Sequence, residues 1–429
     1  MTRNLNSRPL KATTTHGLNL LVQDTPGLRL ARICFHLKTG SRYENAASNG
    51  VSHFLEHMLF RGTPRHPSSH RLATAFEDLG GSLEATTSAD HGTLGISLPV
   101  ENITSALPLI AEVIEAPEFK DIETERRIIR EEILEDLSED GRWIDGDTLV
   151  RQLAFGRDGL GQPITGNLKT LETFSVEDLR QHHAMTYRAK GNVLSIAGAI
   201  DADLILREAE TQFATLSGAP DLVSISPLQQ KRPQFLHTQN SGSSQTTIHL
   251  AYLGLGHHDP QEPALEMLLR ILDDGMSTRL YSTLCDQKGL CYDASASYEC
   301  YAETGLVELV AESAHDHAIE VYEHLENLLQ ECCHSPPTSL ELDRARRRVQ
   351  WHYEAAADQA LDIAEFNAQA ALWRTSSPLK ERLSSLLAVK AEDCLNLAQR
   401  LFSDQRRNLV TVGNPPQEIQ DRLRQLAVG

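Results

Sequence analysis

The order of apolar and polar positions repeats once along the chain. A stretch with helical period followed by an apolar strand begins at Val176 (VEDLRQHHAMTYRAKGNVLSIAGAID) and again at Ala391 (AEDCLNLAQRLFSDQRRNLVTVGNPP). Each stretch opens with acidic residues, which favour a helix N-terminus, and closes with an apolar run that ends at Gly198 or Gly413. The pattern therefore predicts the same helix–turn–strand unit in two places.

Two further pairs of segments repeat in the same order. The segments from Leu79 (LGGSLEATTSADHGTLGISLPV) and Lys288 (KGLCYDASASYECYAETGLVELV) alternate like strand pairs and are then followed by helical period. The segments from Leu30 (LARICFHLKTG) and Gln245 (QTTIHLAYLGLG) each predict a strand followed by a helix. The expected fold class is α+β, with two homologous α/β-sandwich halves, each an antiparallel-rich sheet with helices packed on it.

Chain length and composition indicate where the two halves meet. A chain of 429 residues is too long for one compact core, so at least two domains are expected. Gly, Pro and Ser concentrate in one stretch near the middle, which predicts a linker over residues 218–234. The predicted domains are residues 1–217 and 235–429.

The chain is acidic, with 59 Asp and Glu residues against 40 Lys and Arg residues and a formal net charge of −19. This charge disfavours nucleic acid and anionic membranes as partners and would attract cationic peptides. The N-terminus lacks the long apolar core of a secretory signal, and no later run is long enough to span a bilayer, so no membrane insertion is expected. Seven cysteines without CxxC spacing fit a reducing compartment, and a cytoplasmic location is expected.

The segment SNGVSHFLEHMLFRGT, which begins at Ser48, carries His53, Glu56 and His57 inside an apolar run. Residues four apart lie on one face of a helix, so both imidazoles can point at one ion. The order HxxEH is the inverzincin form of the zinc-peptidase motif, although such a pentapeptide also arises by chance. Burying three polar groups would cost several kcal/mol unless something satisfied them, and a metal ion would do so.

A catalytic zinc ion takes three protein ligands and keeps one position open. The stretch DIETERRIIREEILED predicts a helix with Glu125 and Glu132 along one face. Glu132 is then a candidate third ligand and Glu125 an outer carboxylate, while a run of this kind is by itself usually a solvated helix face.

These motifs together resemble the pitrilysin/insulinase family of zinc peptidases. The segments GVSHFLEHMLFRGT, LGGSLEATTS and DDGMSTRLYSTLCDQKGLCYDASASYE are similar to its mitochondrial-processing-peptidase-like branch, and the resemblance covers nearly the whole chain. It implies a zinc metallopeptidase, with two homologous halves, that hydrolyses short or unfolded peptides. Basic presequence-like or leader-like peptides would suit the negative charge of the chain.

The resemblance also implies the metal ligands. It makes His53, His57 and Glu132 the ligands of the zinc ion, with Glu125 as a supporting glutamate. Glu131 is the alternative third ligand. Glu132 is preferred because it lies seven residues after Glu125, the spacing that the family shows.

The resemblance further assigns roles in catalysis and substrate binding. It makes Glu56 the base that activates the zinc-bound water, and it places substrate contacts at Glu84, Ala85 and Tyr292. The strand that carries Glu84 is expected to be a sheet edge that a substrate peptide joins as an extra strand. Relatives often have Asn at this position, and the carboxylate here would either favour a basic substrate residue or protect an exposed edge against aggregation.

The second half is expected to lack a metal site. Matching Gly62 with Gly275 sets three residues against the positions of the zinc motif, namely Glu266, Leu269 and Arg270. This set cannot bind zinc as the first half does, so one Zn²⁺ per chain is expected.

One departure from the family pattern concerns the substrate. Relatives that act alone carry an arginine seven residues before the tyrosine, whereas this chain has Cys285 before Tyr292. Arg279 and Lys288 are candidate replacements. A catalytic subunit that borrows these residues from a zinc-free paralogue would tolerate the loss.

The main functional hypothesis is a zinc-dependent endopeptidase that acts as a homodimer, or as a heterodimer with a zinc-free paralogue. The alternatives are a catalytic subunit that is active only with such a partner, and a non-catalytic core or scaffold subunit. Two histidine pairs, His182/His183 and His257/His258, are interpreted as surface or turn positions because no partner for them can be named.

Overall fold

The computed structural model describes residues 7–220, 222–226, 232–375, 379–402 and 406–429. The chain forms two compact units, each made of three separate segments. The first unit comprises Met1–Ile133, Gln162–Ile225 and His352–Arg382. The second comprises Leu134–Gly161, Ser226–Trp351 and Leu383–Gly429.

The first unit is built on a six-stranded sheet. Its strands in chain order are β1 (Leu10–Thr13), β2 (Asn19–Asp24), β3 (Leu30–Leu37), β4 (Leu83–Thr87), β5 (Gly92–Pro99) and β6 (Val193–Gly198). Their spatial order is β1-β2-β6-β3-β5-β4, with β2 and β6 parallel and the other neighbours antiparallel. The central strands β3 and β6 are almost wholly buried, as expected for strands covered on both faces.

The second unit contains a five-stranded sheet. Its strands are β7 (Gln234–Gln239), β8 (Gln245–Gly254), β9 (Cys291–Cys300), β10 (Gly305–Ala314) and β11 (Arg407–Gly413). Their order is β7-β11-β8-β10-β9, with β7 and β11 parallel and the other neighbours antiparallel. This repeats the order and directions of β2-β6-β3-β5-β4, which confirms the predicted α+β fold with two homologous halves.

Helices flank both sheets, and each of the predicted repeats contains one at the expected place. In chain order they are α1 (Val51–Leu59), α2 (Ser69–Glu77), α3 (Ile103–Glu115), α4 (Ile122–Glu135), α5 (Gly146–Phe155), α6 (Leu168–Leu171), α7 (Val176–Thr186), α8 (Ala202–Gln212), α9 (Glu262–Leu272), α10 (Arg279–Tyr281), α11 (Ala318–His334), α12 (Ser339–Ala356), α13 (Ala360–Leu372), α14 (Leu379–Leu387), α15 (Ala391–Leu401) and α16 (Gln417–Val428). The repeated helix–strand unit is α7 with β6 and α15 with β11.

The compact units differ from the predicted contiguous domains, residues 1–217 and 235–429. The N-terminal half of the sequence contributes α5 to the second sheet, where it packs on β8 and β11, and the C-terminal half contributes α13 to the first sheet, where it packs on β3 and β6. The change from one unit to the other at Ile225 and Ser226 falls within the predicted linker, 218–234, of which residues 221 and 227–231 lie outside the described part of the chain.

Small residues explain why these two helices lie so close to the sheets. The face of α13 turned to the sheet includes Ala360, Ala364 and Ala368, all buried. In α5, Gly146 lies against the imidazole of His249 on β8, where a Cβ atom would come within 2.0 Å of Nε2. Side chains of this size let a helix backbone approach a sheet more closely than Leu or Ile would allow.

Among the described residues, no helix combines the length and the apolar character that crossing a bilayer requires.

The interpretation of His182 and His183 as surface positions is wrong. Both lie on α7 inside the first unit, and the ring of His182 is only 8% exposed. The hydroxyl of Ser52 donates to Nε2 of His182 over 2.9 Å, and Nε2 of His183 donates to the carbonyl of Ile114 over 2.8 Å. The second of the two histidine pairs lies in a turn, as predicted.

The buried His182 predicts an acid-sensitive stability. Burial lowers its pKa to about 4, so between about pH 6.5 and pH 4 the unfolded chain binds more protons than the folded chain, and the free energy of unfolding falls as the pH falls through this window. His182→Gln keeps an acceptor for Ser52 but removes the titrating ring. Its loss of stability between pH 7 and pH 4.5 is expected to be smaller by about 2 kcal/mol.

Denaturant unfolding at the two pH values measures this difference. His16→Gln is the matched control, because His16 is exposed and its replacement should leave the pH dependence unchanged. An equal loss of stability in the wild type and in His182→Gln would contradict the prediction.

Candidate metal centre

The helix α1 begins at a fixed point because its N-terminus is held by a buried carboxylate. Gly50 precedes the helix with a φ of 94°, a conformation that favours glycine. Glu44, which is 1% exposed, accepts the backbone N–H of Gly50 over 2.7 Å and that of Ser52 over 2.9 Å. A carboxylate at this position satisfies free N–H groups and complements the helix dipole. The start of α1, and therefore the direction of its side chains, is fixed.

The two histidines of the motif face the same side of α1. The ring centroids of His53 and His57 lie 4.7 Å apart, as expected for residues one helical turn apart. The side chain of His53 is 9% exposed and that of His57 is 21% exposed.

The carboxylate of Glu132 on α4 lies close to both rings. Its carboxylate oxygens lie 3.4 Å from Nε2 of His53 and 3.6 Å from Nε2 of His57. Ligand atoms around a zinc ion with bonds of about 2.1 Å lie about 3.4 Å apart, so each of these two contacts is compatible with a shared metal ion. The three side chains therefore fit a zinc ion. The neighbouring Glu131 is exposed, and it is Glu132 that the structure groups with the two rings as potential metal ligands.

Glu125 lies behind the candidate ligands. Nδ1 of His57 donates to its carboxylate over 3.0 Å, and Arg61 forms an ion pair with its other oxygen. A partner at Nδ1 fixes the ring and leaves Nε2 as the metal-binding nitrogen. The guanidinium of Arg61 was not anticipated from the sequence, although it follows α1 directly in the segment FRGT.

The histidines and carboxylates of this site shift one another's pKa values. Burial alone would lower the pKa of His57, but Glu125 and Glu132 outweigh burial and raise it to about 9. Hydrogen bonds from His53 and His57 lower the pKa of Glu132, and the same ring together with Arg61 lowers the pKa of Glu125 against the effect of burial. The carboxylates thus hold a proton on His57 that a metal ion would displace.

Glu56 lies on α1 next to His57 but does not belong to the ligand group. Its carboxylate oxygen Oε2 accepts the hydroxyl of Thr87, the last residue of β4, over 2.5 Å. Among the described residues, Thr87 is the hydrogen-bond partner of the Glu56 side chain. The carboxylate is partly exposed and therefore reachable by water.

The two expected substrate contacts on β4 face opposite sides of the sheet. β4 is an edge strand that pairs with β5. The carboxylate of Glu84 accepts Nη1 of the buried Arg32 over 2.8 Å, and Arg32 also pairs with Glu365 of α13. Since Thr87 points to α1 and side chains alternate along a strand, Ala85 lies on the α1 side and Glu84 on the other. The Glu84 carboxylate is therefore paired with Arg32 of the same sheet.

The third expected substrate contact and its possible helpers belong to the second unit. Tyr292 lies on β9 with a side chain that is 94% exposed. Cys285, which stands at the position of the family arginine, lies in a π-helical turn. Arg279 donates to both carboxylate oxygens of Glu341 over 2.6 and 2.9 Å, so its guanidinium is already engaged. Nζ of Lys288 lies 3.9 Å from a carboxylate oxygen of Glu320, at the limit of an ion pair.

The second unit carries ion pairs at the positions that match the candidate metal ligands of the first unit. Arg270 on α9 donates to Glu266 over 3.1 Å and to Asp274 over 3.0 Å. Arg348 donates to Asp274 over 2.6 Å. Because a guanidinium has no free lone pair for a metal, the arginines hold these carboxylates together without an ion. The carboxylates at these positions are therefore already paired with arginines.

Within the described residues, two other groups contain potential ligand atoms, and sequence reasoning identified neither. One consists of Cys34, His36 and Glu365, where the buried guanidinium of Arg32 already neutralises the carboxylate. The other consists of Asp147, His249 and Glu308. There Nδ1 of His249 contacts Glu308 over 2.7 Å, while Gly146 covers the other nitrogen. In each group a carboxylate is thus already paired with a protein partner.

Comparison with known proteins identifies the family of the chain. Residues 20–151 match the family model described as insulinase (peptidase family M16), and residues 173–349 match the model described as peptidase M16 inactive domain. These matches cover more than half of the chain. The protein belongs to the M16 family of zinc peptidases.

One sequence relative and two solved structures show how far the similarity extends. An uncharacterized zinc protease of Rickettsia bellii is 28% identical over 419 residues, which cover 96% of this chain and 98% of the relative. A protease from Helicobacter pylori has a TM-score of 0.87 at 19% identity and covers 96% of this chain and 100% of its own. A chain of complex III from Candida albicans has a TM-score of 0.79 at 16% identity, covering 96% and 99%. At these identities the structural matches show the fold alone.

Proposed function

We propose that the protein is a zinc-dependent endopeptidase that hydrolyses peptide bonds of short or unfolded peptides. The observation that carries this proposal is the grouping of His53, His57 and Glu132 within reach of one metal ion, with the Glu56 carboxylate beside them and outside the ligand set. When bound, the zinc ion would act as a Lewis acid on the scissile carbonyl and lower the pKa of water.

Each protein group then has a definite task. Glu56 takes a proton from the attacking water and delivers it to the leaving amine nitrogen, as a general base and then a general acid. Glu125 holds Nδ1 of His57 and so keeps the Nε2 lone pair directed at the metal. Arg61 neutralises Glu125, which would otherwise leave a second buried negative charge near Glu132.

The edge strand β4 is the proposed substrate platform. Its outer backbone groups can pair with an extended peptide, and Ala85 on the α1 side offers little steric bulk. Only an unfolded segment can add to an edge in this way, so folded proteins should be poor substrates. A net charge of −19 favours basic peptides over acidic ones through long-range attraction. The Glu84 carboxylate, already paired with Arg32, contributes less to this preference than the sequence suggested.

A partner-dependent form of the same activity is the second candidate. The observation that favours it is Cys285 at the position of the family arginine, together with the engagement of Arg279 by Glu341. A zinc-free paralogue would then supply the missing cation in a heterodimer, whereas a self-sufficient enzyme would be a homodimer. A purely structural role, suggested by the fold shared with the complex III chain, would not require a complete ligand set. Seven cysteines without CxxC spacing suit the reducing cytoplasm proposed as the compartment.

The test combines metal analysis with a peptide assay. The purified protein is expected to contain one zinc ion per chain and to cleave a quenched basic peptide, and a chelator should abolish cleavage until zinc is restored. The assay is run with and without a co-expressed zinc-free paralogue. Cleavage only with the paralogue would select the heterodimer. Bound zinc without cleavage in either preparation would refute the peptidase proposal.

A further inference from the structure

We propose that Thr87 is a positioning residue for the general base, because its hydroxyl holds the Glu56 carboxylate in the orientation that catalysis requires. The contact between Oγ1 of Thr87 and Oε2 of Glu56 is 2.5 Å long, a strong hydrogen bond to a carboxylate. This inference rests on the proposed peptidase function and goes beyond it by assigning a role to a side chain outside the zinc motif.

The Glu56 side chain needs such a partner. It projects from a helix, has three rotatable bonds and is partly exposed, so without a contact it would sample several rotamers. A general base must lie within hydrogen-bond reach of the proton that it abstracts. The hydroxyl of Thr87 occupies Oε2 and leaves Oε1 free to accept a proton. One hydrogen bond thus selects a rotamer and keeps one oxygen available.

The position of Thr87 on β4 makes this contact specific. Residues 85 and 87 of the strand face α1, whereas Thr86 faces the opposite side of the sheet. There, the hydroxyl of Thr86 pairs with that of Thr93 on β5 over 2.6 Å. Two adjacent threonines on one edge strand therefore have different partners, and only Thr87 contacts the proposed base.

The contact also links the base to the proposed substrate platform. Thr87 pairs with Gly92 at the end of β4, and the rest of the strand is held to β5 on one side and open on the other. A peptide that adds to the open edge orders the strand that carries the Thr87 hydroxyl. Substrate binding would then reduce the freedom of Glu56 at the step when the base is needed.

Three variants test the proposal in the zinc-loaded protein with a quenched basic peptide. Thr87→Val keeps the shape of the side chain but removes the hydroxyl, and kcat is expected to fall about 10- to 100-fold with KM within about twofold and zinc content unchanged. Thr87→Ser restores the hydroxyl and is expected to recover most of kcat. Thr93→Val is the matched control: it makes the same substitution on the neighbouring strand β5, has no contact with Glu56, and is expected to leave kcat within about twofold.

The outcomes separate this inference from the function on which it rests. A wild-type protein without zinc-dependent cleavage would refute the proposed function. If the wild type is active, three results would overturn the role of Thr87: an unchanged kcat in Thr87→Val, an equal loss in Thr93→Val, or a Thr87→Ser variant as slow as Thr87→Val. The second result would point to the integrity of the edge strand, and the third would exclude the hydroxyl as the relevant group.

Discussion

Replacing Glu56 with glutamine is expected to reduce peptide turnover about 10³-fold while leaving zinc bound. Glutamine has nearly the same volume and can still accept the hydroxyl of Thr87 through its amide oxygen, but it cannot take a proton at neutral pH. Because Glu56 is not part of the group formed by His53, His57 and Glu132, metal content should not change.

The experiment measures kcat and zinc content on the same preparation of Glu56→Gln. A fall in zinc content parallel to the fall in turnover would show that Glu56 supports the metal instead of the proton transfer. Turnover equal to that of the wild type would exclude Glu56 as the base.

The second large effect is expected at Glu132. In Glu132→Gln, a neutral amide replaces the carboxylate that faces both Nε2 atoms, and zinc affinity is expected to fall at least about 100-fold, with activity lost in proportion. Glu131→Gln is the matched control, since it makes the same change on the adjacent exposed residue and should retain zinc and activity.

Competition with a zinc chelator of known affinity measures both variants at one pH. A fixed pH matters because the raised pKa of His57 means that zinc binding releases a proton, so affinity falls as the pH is lowered. Equal zinc affinity in Glu132→Gln and the wild type would show that the third ligand lies elsewhere, and loss of zinc in Glu131→Gln instead would reverse the choice between the two glutamates.

The sequence predicted the part of the site that follows from local periodicity. Four-residue spacing brings His53 and His57 to one face of α1, and the seven-residue spacing from Glu125 identifies Glu132 over Glu131. The first argument needs only the geometry of one helix, whereas the second also uses the spacing that the family shows. The repeated order of strands was predictable for the same reason, because each repeat has its own local pattern of apolar residues.

Contacts between distant segments were not predictable in this way. The hydroxyl of Thr87 reaches Glu56 across 31 positions of the sequence, and nothing in the alternation of β4 shows which face meets α1. For the same reason Glu84 could be placed on an edge strand but not on the side away from α1. His182 looked like a surface residue because its partner, Ser52, is 130 positions away. Tertiary packing decided each of these cases.

The sequence also did not show that each half of the chain contributes a helix to the sheet of the other half. The apolar and small residues of α13 predict a buried helix face, but they do not indicate which of two similar sheets it covers. Because the sheets share one strand order, either would accept a helix of this kind. The predicted domain boundaries therefore describe the repeat in the sequence, whereas the compact units also depend on where α5 and α13 pack.

The placement of α13 has a consequence for biosynthesis. The first sheet is complete in strands once β6 has left the ribosome, but the face over β3 and β6 stays uncovered until Ala360–Leu372 has been translated. A nascent chain therefore exposes apolar strand surface while most of its second half is synthesised. During this time aggregation competes with folding, which is the condition in which chaperones are needed. The first unit can therefore complete its native packing only after Ala360–Leu372 has been translated.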